Sequence, residues 1–596
     1  VLAIFPGSWW GEPGQVLVIT DRACALINET SGKATRLPLP VEQVAFADGG
    51  RGPQGVTLYI LAGMEKTAGK ISGGIYRSPD CGKTWVQANR GLLGDYPATG
   101  RLPRFRTMAA CEGTPGVAFL SCSDYPASLN NEVRRQFGIF KTVNAGESWH
   151  WSYQADFDSV VSKNHRGSWM MRNYGPEWGE FPHSLGICPT EPDICYATDF
   201  GATYRTLDGG KSWEQVYSLD HPDGSNSSRG LDVTTCYGVH FDPFDKEHFF
   251  ISYTDIAAWH TFNGGKSWLQ SREGVPRAWI NTCYWVVFDP TQKGRLWSAW
   301  GSGHDLPRPK MFRSGNFDRY VGGIALSDNS GRSWQASNTG MPPNTVCTHI
   351  LLDPDSPAQS RTLFACGFGK GVFKSSDSGK SWELCNKGLG KNLNAWRMAL
   401  LPDGTLFLLV ARGLENRQAV DGLLYRSRDH GETWQVSPLP EGANAPNDLV
   451  FDPERPGTMY LSCWPWTEEG KDEGKRVERC GGLYRTSDGG ATWKQVFHEN
   501  AHVYAAAVDP ANPSTVFINT FDSAAFRSDD RGESWYRLEG YTFKWGHRPV
   551  VDPHHPGMLF LTTFGGSLFY GPSAGVPGAP EDIMDDEFLL WQPVGN

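Results

Sequence analysis

A ten-residue phrase, written nine times along the chain, constrains the fold more than any other feature. Its clearest copy is Tyr484-Arg485-Thr486-Ser487-Asp488-Gly489-Gly490-Ala491-Thr492-Trp493. The other copies centre on Asp80, Asn144, Asp208, Asn263, Asn329, Asp377, Asp429 and Asp530, and each ends on a tryptophan five residues further on. The aromatic and the Ser/Thr finish one strand. The Asp or Asn accepts hydrogen bonds from backbone N–H groups ahead of it, as such side chains do in tight turns. The Gly takes a left-handed conformation that other residues resist, and the Ser/Thr-Trp opens the next strand with a large apolar anchor. One phrase is therefore a β-hairpin with a built-in turn, and its recurrence implies a repeat architecture. Asn replaces Asp in three copies, so the phrase does not depend on a carboxylate and reads as structural.

A second phrase precedes each box: an apolar strand, an Asp-Pro turn and another apolar strand. Val286-Val287-Phe288-Asp289-Pro290, Leu449-Val450-Phe451-Asp452-Pro453 and Ala506-Ala507-Val508-Asp509-Pro510 are examples. Together the two phrases make one four-stranded blade, and box positions lie 42 to 66 residues apart. Residues 1–40 hold a degenerate first blade, 41–541 nine full blades, and 542–596 a closing blade with Phe588–Pro593 as its last strand. The expected fold is an all-β propeller of about ten (ten or eleven) blades. It is expected as a single β-propeller domain over 1–596, with two smaller fused rings as the alternative.

The ten-residue phrase resembles the Asp-box (BNR) repeat of sialidases, of xyloglucan-cleaving glycoside hydrolases and of sortilin-type receptors, all β-propellers. The blade count is nearer to the large single ring of the sortilin type than to the smaller sialidase ring or the paired rings of tandem xyloglucanases. The cysteine-rich modules that follow a sortilin propeller are absent from this sequence. Sialidases carry an Arg-Ile-Pro near the start, and Arg101-Leu102-Pro103 is only a faint echo of it.

The net charge of −10 and the lack of a basic cluster argue against a nucleic-acid partner. No apolar run approaches the ~18 residues that span a bilayer. Thirteen cysteines without a C-x-x-C do not form a zinc framework, and no cofactor or metal is expected. Cys188 and Cys195 flank a turn and Cys463 and Cys480 bracket a long loop, so each pair is a candidate disulfide. These pairs favour a secreted, periplasmic or cell-surface location. Asn28 and Asn226 sit in glycosylation sequons.

Function is expected on the connections that differ from blade to blade. Five stretches stand out: 88–106, 123–138, 152–184, 299–323 and 463–482. They carry Trp169, Trp178, Trp300, Trp464 and Trp466 with Arg172, Tyr174, His183 and His304, a set suited to stacking on pyranose faces and bonding hydroxyls. At the corner after a blade's second strand, Thr198-Asp199-Phe200-Gly201-Ala202 aligns with Thr254-Asp255-Ile256-Ala257-Ala258. Asp21 and Asp522 share that offset. The corner resembles the T-D-I-G-G turn of xyloglucanases, with Ala202 and Ala258 in place of the second Gly. The resemblance implies an acid and a base at Asp199 and Asp255. Glycoside hydrolysis needs two carboxylates roughly 5–10 Å apart, and Asp305 and Asp124 are further candidates. The same corner Asp also serves simply to bond backbone N–H groups in a turn.

Two function classes follow. One is an exported glycan-active enzyme, a glycoside hydrolase acting on a polysaccharide or oligosaccharide, or a lyase using His183, Tyr174 and Arg172. The other is a non-catalytic propeller that binds a protein or peptide partner on its loop face or serves as an extracellular scaffold subunit.

Overall fold

A computed structural model of the chain describes residues 1–94, 96–129, 132–156, 164–174, 181–199, 201–229, 234–308, 317–415, 418–465, 480–521, 524–541, 543 and 545–579. Short helices apart, it is all-β. Among the described residues eleven mostly antiparallel sheets follow one another along the chain; one two-stranded ribbon, Ser218–Asp220 with Asn226–Ser228, lies between two sheets, and another, Gly413–Glu415 with Gln418–Val420, is inserted within one. No helix among the described residues is long and apolar enough to cross a membrane. The chain forms two compact units, Val1–Pro222 with Asn226–Gly230, and Asp223–Ser225 with Leu231–Asn596. The segment Phe588–Pro593, expected as a last strand, lies outside the described residues.

The boxes set the shape of each sheet. In the copy around Asp488, Thr486 Oγ1 donates to Asp488 Oδ1 at 2.7 Å and accepts from the Gly490 amide at 3.0 Å. Asp488 Oδ1 accepts the Thr492 amide at 2.9 Å, and Oδ2 accepts the Thr492 hydroxyl at 2.6 Å. The Asn copies keep this pattern by turning the amide nitrogen to the hydroxyl, as Asn144 Nδ2 does to Ser148 Oγ at 3.0 Å. Hydrogen bonds hold the Asp488 carboxyl well below the usual range, the Thr492 hydroxyl first among them. Several box tryptophans then tie their sheet to the one before. Trp149 Nε1 donates to Ala88 O, Trp382 to Ser337 O, Trp434 to Cys385 O and Trp493 to Pro438 O, at 2.7–3.0 Å.

The first unit has four sheets, and its last one, Ser184–Ile187 to Trp213–Gln215, gains the parallel strand His165–Arg166. The stretch 123–138, expected as a loop, is mostly paired strand: Ala118–Leu129 and Glu132–Thr142 form one long hairpin. The second unit has seven sheets, whose first strands begin at Cys236, Thr282, Cys347, Ala395, Pro446, Val503 and Gly546. These seven close on themselves. Thr235 bridges Phe564, Tyr253 Oη meets Ser567 Oγ at 2.6 Å, and Val239 and Phe249 pack on Phe560. Aromatic wedges fill the seam: Phe241 and Phe249 lie 5.8 and 5.7 Å from Phe560.

The seven innermost strands of this unit each carry a register shift just after their first residue or two. A bulge of this kind sets two residues against one partner residue and re-aims side chains. The centre of the unit is consequently packed. Tyr237 lies 4.9 Å from Tyr284, 6.3 Å from Trp396 and 5.4 Å from His547, although these rings come from four different sheets.

All thirteen cysteines are free thiols. Ile187 is the residue paired with Cys195, so Cys188, one position along, points to the other side of the hairpin and the expected bridge does not form. Cys463 pairs with Gly482, two residues from Cys480, and both remain thiols.

Candidate active site

The two corner aspartates, alike in sequence, differ in structure. Asp199, in the first unit, folds back on its own turn: Oδ1 accepts the Gly201 and Ala202 amides at 2.9 and 2.6 Å. It also faces the buried Tyr204, whose phenol is pushed up by burial first and by the Asp199 charge second. That is the turn-bonding role.

Asp255, in the second unit, has φ +62°, and Ala257 in the same corner has φ +69°. Non-glycine residues enter this region at a cost of about 1–3 kcal/mol and cluster at functional sites. Its carboxylate is held by side chains from elsewhere in the unit. Asn281 Nδ2 donates to Oδ1 at 3.3 Å, Thr234 Oγ1 donates to Oδ2 at 3.2 Å, and His304 Nδ1 lies 3.6 Å from Oδ1. Burial raises the Asp255 pKa and the neighbouring Asp305 charge adds to it, against the lowering effect of His304, Asn281 and Thr234.

Asp305 is also left-handed, at φ +54°, and buried to 7% exposure. Arg308 Nη1 lies 3.7 Å from its Oδ2. The Arg308 guanidinium covers Phe521 and Phe564 at 5.5 and 5.2 Å. The corner is joined to an aromatic strip. Thr234 O accepts the Gly565 amide at 3.2 Å, Phe564 N donates to Trp545 O at 2.8 Å, and Trp545 stacks beside Phe521 at 6.3 Å and 16°. Trp464 continues the strip against Tyr504 and His502 at 4.6 and 5.2 Å. Trp545 is 47% exposed, a flat ring open to a ligand, and the sequence reading missed it. The signal was there: an aromatic cluster, Tyr541, Phe543 and Trp545, just before a strand.

The remaining candidates scatter. Trp300 is fully buried, donating to Ser298 Oγ at 2.6 Å, and Trp169 is 5% exposed, so both are packing residues rather than open sugar platforms. Arg172 is engaged in a fork with Asp220 at 2.8 and 3.0 Å. Tyr174 ends the short helix Trp169–Tyr174, and His183 stacks on Phe181 at 4.9 Å. Asp124 is clamped by Arg101 and Arg135 at 3.3 and 3.2 Å, beside a cavity of about 660 Å³ lined by Arg101, Arg104 and Arg106. Trp178, Trp466 and Asp522 lie outside the described residues. Among the described residues no group of His, Cys, Asp and Glu is placed to hold a metal ion.

With this geometry in place, comparison with known proteins gives a consistent fold. A GH74 xyloglucanase from Xanthomonas campestris superposes with a TM-score of 0.56 at 17% identity, over 96% of this chain and 74% of that one. A GH74 enzyme from Niastella koreensis gives 0.55 at 14%, over 95% and 74%. The chain has a β-propeller fold similar to that of these two enzymes. In sequence, a xyloglucanase of Acetivibrio thermocellus is 28% identical over 152 residues, 20% of this chain and 16% of that protein. One from a Paenibacillus species is 29% identical over 154 residues, 20% of this chain and 13% of that one. The matched stretch thus spans less than a fifth of either relative. No protein-family profile matches the chain.

Proposed function

We propose that the protein is an exported glycoside hydrolase acting on a β-glucan polysaccharide of the xyloglucan class, with its acid at Asp255. The observation that carries this reading is the left-handed Asp255 corner, where burial raises a carboxyl pKa beside a second carboxylate, Asp305. A carboxyl whose pKa is raised by burial is suited to donate a proton to a leaving glycosidic oxygen. His304 and Asn281 orient Asp255. Asp305, steadied by Arg308, is the partner that activates water or stabilises the developing positive charge on the sugar. Trp545, with Phe521 and Trp464 behind it, supplies the apolar face on which a pyranose stacks. The names of the similar proteins agree with the substrate class.

The test is release of reducing ends from xyloglucan, mixed-linkage β-glucan and cellulose by wild type and by Asp255→Asn, Asp305→Asn and Trp545→Ala. Loss of the acid should cost about 10²–10⁴ in kcat. Trp545→Ala should act mainly on KM. Full activity in Asp255→Asn refutes the assignment. Binding of xyloglucan without cleavage by wild type would place the protein in the non-catalytic class.

A further inference from the structure

Behind the aromatic centre of the seven-sheet unit lies a second group of side chains, on the residues that follow each bulge. It includes Trp285, His349, Arg397, Asp448 and Arg548, from five different sheets. Arg397 and Arg548 both lie over the Trp285 ring, with guanidinium carbons 4.5 and 5.1 Å from its centroid. Arg397 also covers Trp396 at 4.5 Å. Arg548 Nη1 donates to Asp448 Oδ2 at 2.8 Å, and Arg397 Nη1 donates to Thr348 O at 2.9 Å.

The charges do not balance. Two guanidiniums face one carboxylate, leaving one positive charge at a site where Arg397 is 2% exposed. Arg397 Nε and Nη2 and Arg548 Nε are buried and find no acceptor among the described residues. An uncompensated buried cation is costly, far more so than a buried pair. Nor does the site shed the proton: burial first, and Arg548 second, lower the Arg397 pKa only to about 9. The nearby histidines add donors and no negative charge. His349 Nδ1 accepts the Met398 amide at 3.3 Å, which leaves the proton of its neutral ring on Nε2. His240 and His349 pack against Trp285 at 4.6 and 4.9 Å.

We propose that this cluster binds one small monovalent anion of the halide class, chloride being the abundant member, on the free N–H groups of Arg397 with Arg548 beside it. One negative charge neutralises the excess, and the unsatisfied N–H groups of Arg397 and Arg548 are donors that an anion can accept from. The proposal stands apart from the glycosidase reading and its test does not use activity.

The protein is purified and crystallised with bromide replacing chloride throughout, and diffraction is recorded at the bromine absorption edge. An anomalous peak is expected within about 3.5 Å of Arg397 Nε or Nη2, the outer reach of a hydrogen bond. A water or no density there overturns the proposal. In solution, the unfolding midpoint of the full chain should rise with chloride over gluconate at fixed ionic strength, since a ligand of the native state stabilises by mass action. That rise should vanish in Arg397→Met. In Asp448→Asn, which removes the competing carboxylate, it should saturate at lower chloride. A rise unchanged in both variants overturns the proposal, and the bromide experiment on wild type decides should Arg397→Met fail to fold.

Discussion

Gly340 offers the sharpest test of how one sheet is fastened to the next. Its φ is +94°, and a Cβ built on it would stand 2.2 Å from the carbonyl oxygen of Trp382, the box tryptophan of the following sheet. The residue before it, Thr339, accepts the Trp382 amide at 2.9 Å, so the two backbones cannot part without breaking that bond. Gly340→Ala therefore combines strain at positive φ, about 1–3 kcal/mol, with overpacking of about 1–3 kcal/mol. Loss of unfolded-state freedom offsets about 0.4–1 kcal/mol. The net is a destabilisation of about 3 kcal/mol. With an unfolding entropy of about 2.1 cal/mol/K per residue over roughly 350 residues, that lowers Tm by about 4 °C. Gly557→Ala is the control: φ is +81° and no heavy atom lies within 4 Å of its added Cβ. It carries strain alone and should shift Tm by about 1 °C. Calorimetry on both variants distinguishes them, and equal shifts would refute the clash with Trp382. The same approach recurs at Gly91, Gly274 and Gly388, each 2.0–2.1 Å from the carbonyl of Trp149, Trp334 or Trp434, so the result extends around both units.

Arg361 and Asp289 form a buried fork, Nη2 to Oδ1 at 2.8 Å and Nε to Oδ2 at 3.0 Å, joining neighbouring sheets. Arg361→Met should cost about 3–5 kcal/mol by stranding Asp289, and adding Asp289→Asn should recover part of it in a denaturant double-mutant cycle. Trp149→Phe keeps an aromatic side chain but leaves Ala88 O without its donor, so a loss of about 1–3 kcal/mol from that bond, with more from the lost indole volume, is expected in denaturant melts of the first unit. Burial, ahead of neighbouring cations, holds the His240, His260 and His502 pKa values down to about 3 and pushes His349 and His547 well below the usual range. The unfolded rings titrate near 6.5. The stability from burying them neutral is therefore whole above about pH 6.5 and falls as pH drops towards 3, by about 1.4 kcal/mol per pH unit for each ring. Unfolding near pH 5 should take up about five protons from these rings; an uptake of one or none, from the pH dependence of stability between 5 and 6, contradicts their burial as neutral groups.

How much of this was legible in the sequence depends on how local the cause is. The boxes were readable because they close on themselves: Asp488 is satisfied by Thr486, Ala491 and Thr492, all within four residues. Ring closure was not. It rests on Thr235 meeting Phe564 and Phe249 meeting Phe560, more than three hundred residues apart. Repeats that look alike carry no mark of which two will join. The cysteines misled for a related reason: Cys188 and Cys195 are close in sequence, but the hairpin register sets Ile187, not Cys188, opposite Cys195.

The corner aspartates make the same point at the site. Thr198-Asp199 and Thr254-Asp255 are equivalent by offset, and a local reading gives both the same two roles, catalysis or turn bonding. Asp199 turns its Oδ1 to the amides of Gly201 and Ala202, within three residues, and faces Tyr204 of the next strand. Asp255 satisfies its own from Thr234, Asn281 and His304, each brought by a different connection, and accepts left-handed backbone strain. A carboxylate spent on its own turn is fixed and solvated by its own chain. One held by distant side chains has a pKa its surroundings can move, here upward by burial. What separates the two is therefore the partners that fold topology delivers, and Asn281 and His304 are the positions at which substitution should shift the Asp255 titration while leaving the sheet intact.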